Sequence, residues 1–383
     1  VKVTTFGGLG TIFDGPHATP TRREEGPYFL NISSLNAGRL DLAASDHVSE
    51  GDFARWTRRV TPEAGDLLFS YETRLGEAAL MPSGLRACLG RRMALLRPGR
   101  DVIEPRFLLY YYLSPSFQET IRHRSIHGAT VERILLSTMT EWPVQLPPLP
   151  TQRAIAEVLG ALDDKIAANA RVVSVCDELR RDAYQSLLGG ESAPLSSLAR
   201  FVNGRAYTKG ATGTGRVVIR IAELNSGLGG STVYNDIDVP DDSLARPGDL
   251  LFAWSGSLMA ARWYRPEAIV NQHIFKVIPN ADRPLWLVAS ALDRKLDDFK
   301  ATAADKATTM GHIQRHHLDE GVSLPDSDRI AANDARMTSL WERALAAEVE
   351  SLHLATLRDT LLPHLMSGRL TVRDAEKQVG EAL

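Results

Sequence analysis

Apolar residues recur at helical spacing in two long stretches, and these stretches divide the chain. Ile155, Leu159, Leu162 and Ile166 follow at intervals of 4, 3 and 4, which puts them on one helix face. The phase continues through Val172, Cys176, Leu179, Ala183 and Leu187. Thr151, after Pro147, Pro148 and Pro150, is the expected N-cap, and Gly189-Gly190 the expected stop. The second stretch follows Pro325, with Asp326 as cap. It carries Ile330, Met337, Trp341, Leu345, Val349, Leu352, Leu357, Leu361 and Leu365 and ends at Gly368. Each helix would be roughly 50–60 Å long at 1.5 Å per residue. One amphipathic helix of that length cannot hide its stripe alone. The two are expected to pair as an antiparallel coiled coil; the alternative is that each packs on its own neighbouring module.

The rest of the chain has short apolar runs bounded by Gly, Pro, Asn and Asp. YFLNISSL (Tyr28–Leu35) and VVIRIAEL (Val217–Leu224) read as strands, and GDLLF as a buried strand after a turn. Helices are predicted near Pro105–His123 and Pro284–Lys300. The expected fold class is mixed α/β: two globular modules with a curved sheet, and two long helices.

The modules repeat. GDLLF occurs at Gly65–Phe69 and at Gly248–Phe252. LNISSLNAG (Leu30–Gly38) parallels IRIAELNSG (Ile219–Gly227), and ACLGRRMALLRP (Ala87–Pro98) parallels AIVNQHIFKVIP (Ala268–Pro279). HGATVERI (His127–Ile134) parallels KATTMGHI (Lys306–Ile313), and VQLP (Val144–Pro147) parallels VSLP (Val322–Pro325). The matches keep their order with a slowly drifting offset, as duplication followed by small insertions and deletions would leave them. The expected plan is a pseudo-twofold repeat: module 1–147, helix 148–190, module 191–325, helix 326–368 and a C-terminal tail 369–383.

This plan resembles the specificity subunits of type I restriction–modification systems. The stretch VQLPPLPTQRAIAEVLGALDDKIAANARV (Val144–Val172) is similar to that family's first spacer helix, with Pro-Leu-Pro-x-Gln at Pro148–Gln152, Leu-Asp-Asp-Lys-Ile at Leu162–Ile166, and Asn169. GDLLF at both sites and NQHIF (Asn271–Phe275) resemble segments of its target recognition domains. The second helix start, LPDSDRIAAN (Leu324–Asn333), lacks the Pro-Pro-Leu-Pro-x-Gln form, and LGRRM (Leu89–Met93) stands where the second module has VNQHI. The resemblance implies a non-catalytic, cytoplasmic subunit in which 1–147 and 191–325 are target recognition domains. Each would read half of a bipartite site in double-stranded DNA. The helices would set the gap and dock two DNA methyltransferase subunits, with restriction motor subunits as optional further partners. No cofactor is implied.

Composition narrows this picture without deciding it. The 383 residues are 44% hydrophobic and 24% charged, with a net charge of −3, ordinary for a globular protein. Residues 1–147 carry 17 basic and 16 acidic side chains, and residues 191–325 carry 15 of each. DNA affinity would therefore need local basic surfaces. Two cysteines, Cys88 and Cys176, in unrelated contexts exclude a disulfide framework or a cysteine-built zinc site and fit a reducing compartment. No apolar run suits a membrane span, and VKVTTFGGLG does not read as a secretory signal. There is no Asn-Pro-Pro-aromatic methylase motif and no Walker lysine motif. NGRAYTKGATGTGR (Asn203–Arg216) lacks the Gly-Lys-Ser/Thr ending and reads as a loop. His312, His316 and His317 have no indicated third ligand, so no metal is expected.

DNA recognition needs phosphate anchors and side chains with paired hydrogen-bonding atoms for base edges. In the first module the candidates are Arg22, Arg23, Arg58, Arg59, Arg74, Arg91 and Arg92. In the second they are Arg205, Tyr207, Lys209, Ser255, Ser257, Arg262, Asn271, Gln272, Lys306, Thr308 and Thr309. Tyr71 and Trp254 follow GDLLF at matching positions, with core packing the first expectation. Partner-facing candidates on the first helix are Gln152, Asp163, Asp164, Lys165 and Asn169. Two other functions stay open: a coiled-coil scaffold presenting two protein-binding modules without DNA, and the recognition part of a methylation-only or other phage-defence assembly.

Overall fold

A computed structural model of the chain describes residues 2–16, 18–127, 131–305 and 312–383. The fold is mixed α/β, with two β-rich modules and long helices at Leu149–Leu187 and Ser327–Ser367. It divides into two units, Val1–Asp164 with Leu354–Leu383, and Lys165–His353. Each unit holds one module and a stretch of both long helices.

In the first unit an antiparallel four-stranded sheet runs in the order Gly10–Asp14, Met93–Pro98, Leu67–Ser70, Ala78–Leu80. Leu67–Ser70 belongs to the expected GDLLF strand and is buried throughout: Leu68 packs in one cluster with Leu30 and Ala87, and Phe69 against the ring of Tyr112. A second sheet pairs Arg23–Leu30 in parallel with Ala87–Leu89, with Asp46–His47 on its other edge. Lys2–Thr5 pairs with Pro143–Leu146, tying the start of the module to its end. The helix expected near Pro105–His123 is two helices, Pro105–Leu113 and Pro115–Arg124. The break has a local cause: Pro115 disfavours helical geometry at Ser114, whose hydroxyl then caps the second helix.

The second unit repeats this topology. Its four-stranded sheet runs Ala199–Asn203, Ile274–Pro279, Leu250–Ala253, Met259–Arg262. Arg216–Ile219 pairs in parallel with Ala268–Val270, flanked by Val233–Asn235 and Leu244–Ala245. Glu191–Pro194 pairs with Gly321–Leu324. The expected strand VVIRIAEL is strand only to Ile219; Ile221–Ser226 is a short helix. Likewise YFLNISSL is strand only to Leu30 before a 3-10 turn.

The first long helix starts at Leu149, two residues before the expected cap Thr151. Pro150 is tolerated because the first helical turn needs no N–H donor. The second is capped as expected, with Arg329 N–H donating to Asp326 Oδ1 at 2.8 Å, and ends at Gly368 in left-handed geometry. Residues 369–383, expected as a tail, contain the helix Val372–Ala382, which buries Ala375 and Val379.

Within each unit the two long helices lie together. In the second unit they are antiparallel: Lys165 and Asn169 meet Glu350, and Arg329 reaches the carbonyls of Leu187 and Leu188. In the first, Arg358 meets Asp163 at 2.7 Å. The stripes also cover the modules. Tyr184, Ile330, Met337 and Trp341 join the core of the second module with Phe252, Trp286 and Phe299. Helix pairing and packing on the module, set apart as alternatives, therefore coexist. One stripe position differs from expectation. Leu179 is 44% exposed, and Arg180 lies inside instead.

Candidate nucleic-acid interface

In each module three loops meet at one end of the four-stranded sheet. The first follows the GDLLF strand. The second is the turn joining the parallel strand back to the sheet, Gly90–Arg92 in the first module and Asn271–His273 in the second. The third is the short segment Arg133–Ile134 in the first module and His312–Ile313 in the second. Main-chain bonds fix the meeting. Tyr71 N–H donates to Arg92 O, and Ile134 N–H to Tyr71 O. In the second module Trp254 N–H donates to His273 O, and Ile313 N–H to Trp254 O. Arg92 and His273 have φ of 71° and 72°, a left-handed geometry that costs a side-chain-bearing residue about 1–2 kcal/mol. Gly15 and Gly204 donate to the carbonyls of Met93 and Ile274 just behind these turns. A Cβ at either would collide with the turn backbone, Gly90 O or Asn271 O. Sequence so different, LGRRM against VNQHI, thus adopts one backbone.

The side chains displayed there differ. In the first module Arg91 is exposed. Arg92 is half-buried and pairs with Glu72 at 3.1 Å. Exposed Arg133 stands on the third loop, facing Glu72 across an isolated bridge. Arg74 is turned inward, donating to Ile32 O at 2.9 Å and pairing with Glu77. Beside this turn a cleft of about 320 Å³ is lined by Arg55, Trp56, Arg58, Arg59, Asp14 and Leu89. Arg59 pairs with Asp14 at 2.7 Å, and Arg58 is exposed. Arg22 pairs with Asp46 at 3.2 Å on the second sheet, where Arg23 is exposed.

The second module shows fewer charges here. Gln272, His273, Ser257, Arg205 and Lys209 are exposed, and Ser255 is half-buried. The Trp254 ring is half-buried: its indole N–H donates to Asn203 Oδ1 at 2.8 Å and its ring lies 5.1 Å from His273. Asn271 is buried, and its Oδ1 accepts from Tyr207 N–H at 3.0 Å. Tyr207 packs against Val218, Leu244 and Ile269. Asn271 supports the loop from 204 onward from inside, and Tyr207 is partly buried against this cluster. Lys306, Thr308 and Thr309 lie outside the described residues.

Arg262 is corrected most clearly. Its side chain is 4% exposed, bound to Glu348 at 2.7 Å and Asp177 at 3.3 Å. Its guanidinium is taken up by these carboxylates inside the second unit. Among the partner-facing candidates, Gln152 is 1% exposed; it accepts from Glu104 N–H and donates to the carbonyls of Pro147 and Val102. Asn169 is 2% exposed and donates to Glu350 Oε2 at 2.7 Å. Asp163 accepts from Tyr110 at 2.6 Å and from Arg358 and Arg39. These three hold the chain's own helices and module together. Asp164 stays exposed, held below the usual carboxylate range by its hydrogen bond from Arg106. Lys165 is half-exposed beside Glu350.

Sequence reading missed Arg55, Arg133 and His273. Arg133 lies in the repeated HGATVERI segment, and His273 in VNQHI, so the repeat itself could have pointed to both. Among the described residues no group of His, Cys, Asp and Glu could hold a metal. No helix there is long and apolar enough to cross a membrane.

A family model described as the type I restriction modification DNA specificity domain matches residues 21–172. The putative type I restriction enzyme MjaX specificity subunit of Methanocaldococcus jannaschii is 24% identical over 189 residues, covering 47% of this chain and 43% of that protein. The match thus spans less than half of that relative's length. The crystal structure of the type I restriction–modification S subunit from M. genitalium is similar with a TM-score of 0.56 and 15% identity, covering 95% of each chain. That likeness is one of fold. Residues 21–172 thus match the type I restriction modification DNA specificity domain, and the repeated modules and paired helices share the fold of the M. genitalium S subunit.

Proposed function

We propose that each module reads one half of a bipartite site in double-stranded DNA through its three-loop end, and that the helices dock two methyltransferase subunits. The target recognition domains are then 1–147 and 191–325, the spacer helices 148–190 and 326–368. The observation that carries the reading is the duplicated turn. One backbone presents Arg91 in the first module and Gln272 with His273 in the second. A shared frame with different side chains suits two sequences read in one way. Arginine pairs with guanine O6 and N7, and glutamine with adenine N6 and N7. Arg58, Arg59, Arg205 and Lys209 suit phosphate, which positions without specifying. Of the partner-facing candidates on the first helix, Asp164 and Lys165 keep exposed surface for a partner.

The reading is tested by selection from random duplex DNA with the complex purified from its host. Enrichment of one motif in two parts with a fixed gap is expected. Intact complex that enriches no motif overturns it.

A further inference from the structure

The second unit contains a buried knot of charge that DNA reading does not use. Arg262 ends the outer strand of the module's sheet. Its guanidinium meets Asp177 on the first long helix and Glu348 on the second. Its Cζ stands 4.5 Å from the centre of the Trp341 ring, which is also on the second helix. Arg180, 5% exposed, approaches the same ring at 5.8 Å. It donates to Ser290 Oγ at 2.8 Å and Asp293 Oδ2 at 2.6 Å, both on the module helix Leu285–Asp305. Two arginines and one indole thus connect the sheet, the module helix and both long helices.

Such a knot is a poor device for stability alone. Burying charge costs desolvation, and apolar side chains of equal volume often hold a fold better. What it supplies is direction, because a guanidinium fork bonds its partners in one geometry. The first unit does without it. By strand register Leu80 stands where Arg262 does, opposite Leu67 as Arg262 is opposite Leu250. At the offset of 178 that relates the two helix starts, Arg358 corresponds to Arg180 and Asp163 to Trp341. There Arg358 pairs with Asp163 beside an open cleft of about 250 Å³ lined by Arg39, Tyr110, Leu113 and Leu362.

We infer that Arg262 is a positioning residue: with Asp177, Glu348 and Trp341 it fixes the second module's sheet on the paired helices, and so limits the gaps between half-sites that the complex accepts. The inference rests on the two-module reading above. One base pair of gap moves a half-site by about 3.4 Å and turns it by about 35°. A module held in one orientation rejects that displacement, and one that can tilt accepts it.

The test is methylation by the complete complex on duplexes carrying both half-sites, with the gap varied one base pair at a time. Two variants are compared with wild type: Arg262→Lys, which keeps the charge and loses the fork, and the neutral Arg262→Met with Asp177→Asn and Glu348→Gln. In wild type the native gap is expected to exceed its neighbours by roughly tenfold or more, and in the variants by about threefold or less, with the half-site bases unchanged. Folded variants that keep the wild-type gap preference overturn the inference. So does failure of the neutral triple to fold, since the knot is then a folding requirement. A wild-type complex that modifies no two-part site overturns the underlying reading instead.

Discussion

Arg92 and His273 occupy the same left-handed position of the same turn, and Leu80 and Arg262 the same position of the same strand. The backbones agree while the chemistry diverges, at the displayed end and at the helix junction alike. At the displayed end the first module is rich in arginine and the second in amide, hydroxyl and imidazole. At the junction the first unit uses solvent-reaching groups, Arg39, Arg106 and Asp164, around Asp163. The second uses Arg262 and Arg180 inside the core. Duplication supplied one frame; divergence altered what each copy displays and how firmly each copy is anchored.

This contrast can be broken at the junctions first. Arg262→Ala strands Glu348 without its cation, leaves Asp177 only Arg180 at 3.7 Å, and should destabilise the second unit by about 3–5 kcal/mol, measured by urea unfolding. Leu80→Ala, at the equivalent half-buried place, should cost less. A Leu80→Ala loss equal to that of Arg262→Ala would erase the distinction. Next, Tyr110→Phe removes a 2.6 Å bond to the Asp163 carboxylate. A loss of about 1.5–3 kcal/mol is expected, typical of hydrogen bonds to charged groups, and confined to the first unit by hydrogen exchange.

At the displayed end, Arg91→Ala should weaken binding by about 1–3 kcal/mol at one base position of one half-site. Gln272→Ala should do the same at the other half-site. If Arg91→Ala weakens all sequences equally and lowers the salt dependence, Arg91 holds phosphate and does not read a base. Arg91 is the cleaner target than Arg91 and Arg92 together, because removing Arg92 also strands Glu72.

The smallest effect is with pH. Arg106 holds Asp164 below the ordinary carboxylate range, so its stabilisation is present above that range and fades as pH falls through the lowered value. Burial pushes Glu348 up, with Asp177 adding to the rise, despite the opposing hydrogen bond and charge of Arg262. A raised carboxylate binds its proton more tightly when folded, so its contribution grows as pH falls through the raised value. On acidification below about pH 4, the range of ordinary carboxylates, hydrogen exchange near 160–164 should accelerate before that near 348. The opposite order would contradict these assignments.

Much of the frame was legible in the sequence because repeats and apolar periodicity report backbone. The five paired segments led to two modules of matching topology, and Asp326 and Gly368 bounded the second helix as expected. The junction chemistry was not legible. A scan for apolar residues at helical spacing takes Leu179 and passes over Arg180, since only the tertiary partners Ser290, Asp293 and Trp341 make the arginine welcome inside. Arg262 and Asn271 were read as DNA contacts because their side chains suit bases. The same hydrogen-bonding capacity serves equally well to bind Glu348 or hold Tyr207. Residue type alone does not distinguish the two uses; burial does.

The central claim is that this chain directs a methyltransferase to one bipartite site. Its most direct test maps modified bases in host DNA with and without the gene, in cells where the partner methyltransferase is expressed. The account predicts that one two-part motif with a fixed gap loses its modification when the gene is removed and regains it on complementation. An unchanged map with the methyltransferase present would contradict it.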